Sequence, residues 1–291
     1  MLLVCSSNCQ TIAGRERKIM TSPASTTITT TPAELYWEAR GSGRPVLLVA
    51  GTPGDGGQFD TLAERLAQQH LVITYDRRGT SRSALARGSH STSVAEQADD
   101  AAAVLAAVGV EPAVVYGTSN GAAIALELAL RHPHRVAGVM LHEMPLLCVL
   151  RDPEPVATAI GSMIGTAMQA GGPAAALEAF LRFAYGDPVV DAWPDELLAR
   201  MLSNAEMVFS VELPAFQSYR PDERSLAGNS APAAVLVGQD QPQAFFAEAA
   251  QWLAARLATE VTPAPGAHGP QFSCPDALAT CISNFSEAAH A

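Results

Sequence analysis

The sequence predicts an α/β protein, with a mostly parallel twisted sheet flanked by helices and an inserted helical cap. Three observations predict it. Short apolar runs without strict alternation, such as Val46–Ala50 and Val136–His142, suit strands buried on both faces. Helical segments separate these runs, which implies right-handed crossovers between parallel strands. The alternation stops over residues 145–229, where Pro and Gly punctuate helical stretches, and then resumes.

In chain order, residues 1–25 are rich in Ser, Thr and charge and lack a sustained period, so a disordered extension is expected. Met20 is a candidate natural start, which would put residues 1–19 outside the native protein. Thr26–Thr30 and Leu35–Ala39 read as strands, and Val46–Ala50 as a strand running into a Gly-rich loop over 51–57. Asp60–Gln69 fits a helix, Leu71–Tyr75 a strand ending at Asp76, and Val94–Val108 an Ala-rich helix. Ala113–Tyr116 is a strand, Asn120–Arg131 a helix and Val136–His142 a strand. Ala233–Val237, Phe245–Leu257 and Glu260–Pro263 restore the strand–helix–strand order, and Pro275–Ala289 is the last helix. The core is therefore expected over 26–144 and 230–291, with the cap over 145–229.

A chain of 291 residues fits one large domain with such an insertion, and 48% apolar residues supply its core. A net charge of −11 opposes binding to nucleic acid or to an anionic membrane surface. Cys5, Cys9, Cys148, Cys274 and Cys281 form neither a zinc pattern nor an even disulfide framework, which suits a reducing cytoplasm. The start Met1–Val4 is too short for a signal segment, and no run approaches membrane-span length. A cytoplasmic protein with no nucleic-acid and no membrane partner is expected, and a homodimer is left open.

Chemistry enters at Gly117-Thr118-Ser119-Asn120-Gly121, between a strand and a helix. This is a G-x-S-x-G elbow in the context the motif needs. A strand turning directly into a helix strains the backbone at the serine, and its neighbours two residues away must lack side chains. Ser119 would be held out at the carboxyl end of the sheet as a nucleophile. The Asn120 amide, at the helix N-terminus, would face a developing oxyanion. Outside this context the same five residues would be an ordinary turn with Ser119 as a helix cap.

Of seven histidines, His268 alone lies in a loop between the last strand and the last helix, in Pro265-Gly266-Ala267-His268-Gly269-Pro270. From there an imidazole can return over the elbow and take the serine proton. The imidazolium then needs a carboxylate. Glu143, after Val136–His142, and Asp240, after Ala233–Val237, both stand at carboxyl ends of strands, and the residues alone leave either open.

The elbow, the His268 loop, Gly51-Thr52-Pro53-Gly54 and the run Asp76 to Ser83 resemble the α/β-hydrolase superfamily, over about residues 30–144 and 230–290. The resemblance implies the α/β-hydrolase fold, a Ser-His-acid triad and a second oxyanion donor, the backbone amide of Thr52. In much of the family the acid stands where this chain has Gln241, one residue past Asp240. The stretch His142-Glu143-Met144-Pro145 resembles fungal zearalenone lactonases, whose acid follows the earlier strand at the spacing found here between Ser119 and Glu143. That resemblance favours Glu143. Asp76 to Ser83 reads as scaffold, with charge pairs expected among Asp76, Arg77 and Arg78. Asp99 and Asp100 read as a solvated helix start, and Met163 and Met168 as cap packing.

The expected activity is cleavage of a carboxylic ester or lactone of a small hydrophobic substrate through an acyl-enzyme. No cofactor and no metal are expected. The cap would select the substrate, through apolar and aromatic residues such as Phe180, Tyr185, Trp193, Phe209 and Phe216. A C–C bond hydrolase or perhydrolase with the same triad, or a non-catalytic ligand-binding protein of the same fold, are the alternatives.

Overall fold

The computed structural model describes residues 20–30, 33–86, 90–110, 112–240 and 243–290. Among them are nine strands, β1 (Met20–Thr30), β2 (Ala33–Gly41), β3 (Arg44–Val49), β4 (His70–Tyr75), β5 (Ala84–Leu85), β6 (Ala113–Thr118), β7 (Val136–His142), β8 (Ala233–Gly238) and β9 (Val261–Ala264). They form one sheet in the order β1-β2-β4-β3-β6-β7-β8-β9, with β5 paired to β2 off this path. From β4 onward every neighbouring pair on the path is parallel, whereas β1, β2 and β5 join antiparallel.

Helices α1 (Asp60–Leu66), α2 (Val94–Val108) and α3 (Asn120–Arg131) alternate with the first strands. The cap holds α4 (Glu154–Tyr185), α5 (Asp187–Val190), α6 (Asp195–Leu202), α7 (Ala205–Met207), a π-helical turn Val208–Glu212, α8 (Leu213–Ser218) and α9 (Glu223–Ala227). After it come α10 (Ala244–Arg256), α11 (Pro270–Ser273) and α12 (Pro275–Ala289). α4 breaks at Gly171–Gly172, just before Pro173, whose missing N–H cannot continue the ladder. α2 opens on a Ser93 cap, whose hydroxyl accepts from the Glu96 amide and donates to the Glu96 carboxylate. It closes on Gly109 in the left-handed conformation.

Successive strand residues sort to opposite faces of the sheet. Leu47 and Val49 of β3 join a core under α2, α3 and α10, while Val46 and Leu48 join a second one under α1 and α12. The cap has a core of its own, built on Leu177, Leu181, Val190, Trp193, Leu197 and Met201. Burial on both faces explains why the central strands read as unbroken apolar runs.

Four expectations change. Residues 1–25 were expected outside the fold, but β1 begins at Met20 and pairs with β2, while residues 1–19 lie outside the described residues. β5 is an added short strand. Asp76, Arg77 and Arg78 do not pair among themselves: Asp76 binds Arg82, Arg78 binds Asp100, and Arg77 binds Glu212 of the cap. Asp100 is accordingly buried, while its neighbour Asp99 stays exposed against Arg131 and His132. Met163 and Met168 are half-buried on the first stretch of α4.

Candidate active site

Ser119 sits between the last residue of β6 and the first of α3 with φ 53° and ψ −128°, a conformation costly for any side-chain-bearing residue. The flanking glycines make it feasible. A Cβ on Gly117 would lie 2.4 Å from the Gly121 carbonyl oxygen, and one on Gly121 would lie 2.3 Å from the Val49 carbonyl oxygen. Both obstacles are backbone, so neither can move aside. The same crowding brings the β3 loop onto Ser119, since a Cβ on Gly51 would meet Cβ of Ser119 at 3.0 Å.

In the ladder, Thr118 of β6 pairs with His142 of β7, and the Ser119 amide donates to the His142 carbonyl at 2.8 Å. Ser119 and Glu143 therefore leave adjacent strands at the same level. Glu143 has φ 46°, and its amide donates to Leu236 O at 3.0 Å. Its carboxylate accepts from the Gly238 amide at 2.9 Å through Oε1 and bonds His268 Nδ1 at 2.7 Å through Oε2. Burial pushes the Glu143 carboxyl up, but the hydrogen bond and charge of His268 outweigh it and hold the group below its ordinary value. With an ionised acceptor on Nδ1, the proton belongs on that nitrogen, leaving the Nε2 lone pair for a proton from the serine. Ser119 Oγ makes no hydrogen bond among the described residues, a looseness common before substrate arrives.

The imidazole of His268 is 3% exposed and fixed by rings. Phe246 of α10 stacks on it at 15° with centroids 4.8 Å apart, and Tyr185 of α4 lies tilted at 5.4 Å. His142, fully buried, lies 6.4 Å from the same ring, and its Nδ1 faces the Tyr116 hydroxyl at 3.1 Å. Burial drives His142 down to about 4, so this ring is neutral near pH 7.

Asp240, the alternative acid, is exposed on the loop after β8, and among the described residues no hydrogen bond or ion pair joins it to His268. Thr52 and Asn120 come together: Asn120 Nδ2 donates to Thr52 Oγ1 at 2.9 Å. Among the described residues neither backbone amide has a hydrogen-bond partner, which leaves both donors unspent beside Ser119. Phe246 escaped the sequence reading, while Tyr185 was expected only as part of the cap lining and His142 only as the end of a strand; none of the three was expected against His268. No group of three or more His, Cys, Asp or Glu among the described residues could hold a metal ion. No helix among them is long and apolar enough to cross a membrane.

Comparison with known proteins agrees with this fold. Residues 44–164 match the family model described as alpha/beta hydrolase fold. An uncharacterized hydrolase of Bacillus subtilis, YraK, is 43% identical over 122 residues, 42% of this chain and 45% of that protein. A zearalenone hydrolase of Bionectria ochroleuca is 37% identical over 113 residues, 38% of this chain and 43% of that protein. The chain thus spans less than half the length of these curated relatives. A thermophilic esterase of Thermogutta terrifontis, solved with malate bound, superposes with a TM-score of 0.70 at 24% identity. That alignment covers 93% of this chain and 100% of that one, a likeness of fold. The matched segment carries β3, the elbow and Glu143, the superposition covers nearly the whole chain, and the chain has the alpha/beta hydrolase fold.

Proposed function

We propose that the chain is a serine hydrolase that cleaves a carboxylic ester or lactone of a small hydrophobic substrate. The observation that carries this reading is the Glu143 carboxylate on His268 Nδ1, at the same ladder level as a strained serine at a helix N-terminus. Ser119 Oγ attacks the carbonyl carbon while His268 Nε2 takes the hydroxyl proton. The carbonyl oxygen, now an anion, is held by the amides of Thr52 and Asn120. The C–O bond to the leaving alcohol breaks, and that oxygen takes the proton from His268. In a lactone it stays tethered to the acyl group. Water then adds to the acyl-serine by the same route and restores the hydroxyl. Glu143 stays ionised throughout and stabilises the imidazolium.

The rings of Tyr185, Trp193, Phe246 and Phe272, clustered with His268, favour an apolar substrate, and the relative named zearalenone hydrolase is in keeping with that class. The test is a fluorophosphonate probe with the adduct located by mass spectrometry, beside a panel of aryl esters and lactones. An adduct on Ser119, absent in Ser119→Ala, with turnover of at least one panel member, is the expected result. A folded protein that takes no adduct and turns over nothing would overturn the reading.

A further inference from the structure

The cap and the oxyanion loop meet at one buried charge. Arg77, at the end of β4, is fully buried, and so is Glu212, the last residue of the cap's π-helical turn. Nη2 of Arg77 donates to Oε2 of Glu212 at 3.0 Å, Nη1 lies 2.7 Å from Oε1 of Glu212 as an ion pair while donating to Gln97 Oε1 at 2.7 Å, and the Phe216 ring lies 5.4 Å from the guanidinium carbon. The same Nη2 donates to the Gly51 carbonyl at 3.2 Å, and the Arg77 amide donates to the Gly54 carbonyl at 2.9 Å. Arg77 thus grips both ends of the turn 51–54. A second cap residue, Asn204, donates from Nδ2 to the Pro53 carbonyl at 3.2 Å and accepts from the Ser81 amide at 2.7 Å. A third, Arg200, pairs with the buried Asp55.

These ties converge on a single peptide plane. The Gly51 carbonyl and the Thr52 N–H belong to one planar trans unit and point opposite ways. Whatever fixes the carbonyl fixes the direction of the amide. The Gly54 amide holds that carbonyl at 2.7 Å from within the turn, and Arg77 holds it from outside under the hold of Glu212. We propose that Glu212 and Asn204 of the cap are positioning residues for catalysis: seated through Arg77 and Pro53, they aim the Thr52 amide at the oxyanion, so the closed cap completes the oxyanion hole. This rests on the serine-hydrolase reading above and adds to it a link between cap seating and transition-state stabilisation.

The experiment uses the full chain, wild type, Glu212→Gln and Asn204→Ala, with p-nitrophenyl butyrate as substrate and n-butylboronic acid as tetrahedral analogue. Active sites are counted by fluorophosphonate labelling, so that unfolded protein does not enter kcat. Glu212→Gln is expected to lower kcat by about 10- to 100-fold with KM within about twofold of wild type. The boronate inhibition constant should rise in step with the fall in kcat/KM, because the analogue places an oxygen where the Thr52 amide points. Asn204→Ala, which spares the buried charge pair, should move the same quantities in the same direction, and it carries the test if Glu212→Gln does not fold. Variants that lose thermal stability but keep kcat and boronate affinity per labelled site would overturn the positioning role and leave the hydrolase intact. A change in KM alone would do the same. A wild-type chain inert to ester and fluorophosphonate alike would overturn the hydrolase reading and this one with it.

Discussion

Glu143 and His268, 125 residues apart in the chain, meet at 2.7 Å, and the second oxygen of the carboxylate is taken by the Gly238 amide. Both lone-pair-bearing oxygens are thus committed, one to the imidazole and one to the neighbouring strand. Replacing Glu143 by Gln removes the charge that stabilises the imidazolium and puts an amide in its place. Turnover is expected to fall by about 10³- to 10⁴-fold. Asp240→Asn, out on the exposed loop, should stay within about threefold of wild type. Steady-state ester hydrolysis by both variants checks this, and a larger loss in Asp240→Asn would reverse the assignment.

Two glycines should respond to Ala with opposite signs. On Gly121 a methyl would meet backbone oxygens of Val49 and Ala50 at 2.3 and 2.6 Å. Helix propensity would favour Ala there by roughly 1 kcal/mol, but overpacking against immovable backbone costs about 1–3 kcal/mol or more and wins. Gly161, in α4, has open space around it and no unusual φ, so Ala should be neutral or stabilise by up to about 1 kcal/mol. Thermal unfolding of both variants reads the signs directly.

His142 makes stability depend on pH. Its folded value is about 4, against an ordinary 6.5. Between those values the unfolded chain binds a proton that the folded chain refuses, so stability rises with pH across this window and is lost as pH falls through it. The full effect is roughly 3 kcal/mol. His70, also pushed down by burial, adds in the same sense. The carboxylates of Asp55 and Glu143, held low by their partners, withdraw their stabilisation only below their ordinary values of 3.8 and 4.5. Urea unfolding at pH 7 and pH 5 should therefore show a gap that narrows in His142→Phe. An unchanged gap in that variant would mean His142 is charged when folded.

Leu181 lies fully buried in the cap's own core, with Leu177 and Trp193. Leu181→Ala removes that packing and should cost about 2–5 kcal/mol. Because the cap core is separate from the two sheet cores, hydrogen exchange should quicken over α4 to α6 and change little in β3, β6 and β7. Uniform acceleration across the sheet would show one cooperative unit instead.

How much of this was legible follows from what each residue had near it in sequence. The strands were legible because burial on both faces leaves an apolar run, and the elbow because strand, glycines and serine are contiguous. β1 was read only from Thr26: its first six residues, Met-Thr-Ser-Pro-Ala-Ser, carry no apolar alternation. Asp100 looked solvated beside Asp99, yet consecutive helix positions point about 100° apart, and that turn separates a buried partner of Arg78 from a surface partner of Arg131. Composition could not choose between Glu143 and Asp240, since both follow strands at the same sheet end; family likeness favoured the first. The pairing of Arg77 with Glu212 was out of reach, because the two are 135 positions apart in the chain and Glu212 lies within the cap.

The adjacency of Ser119 and Glu143 on neighbouring strands also has a consequence for how this chain tolerates change. Their spacing is set by the rungs that join β6 to β7, and lengthening a surface loop does not shift those rungs. With Glu143 proposed as the acid, the turn after β8 carries no proposed chemistry. Extra sequence, a tag or a grafted recognition segment inserted directly after Asp240 should therefore leave the spacing of Ser119 and Glu143 unchanged.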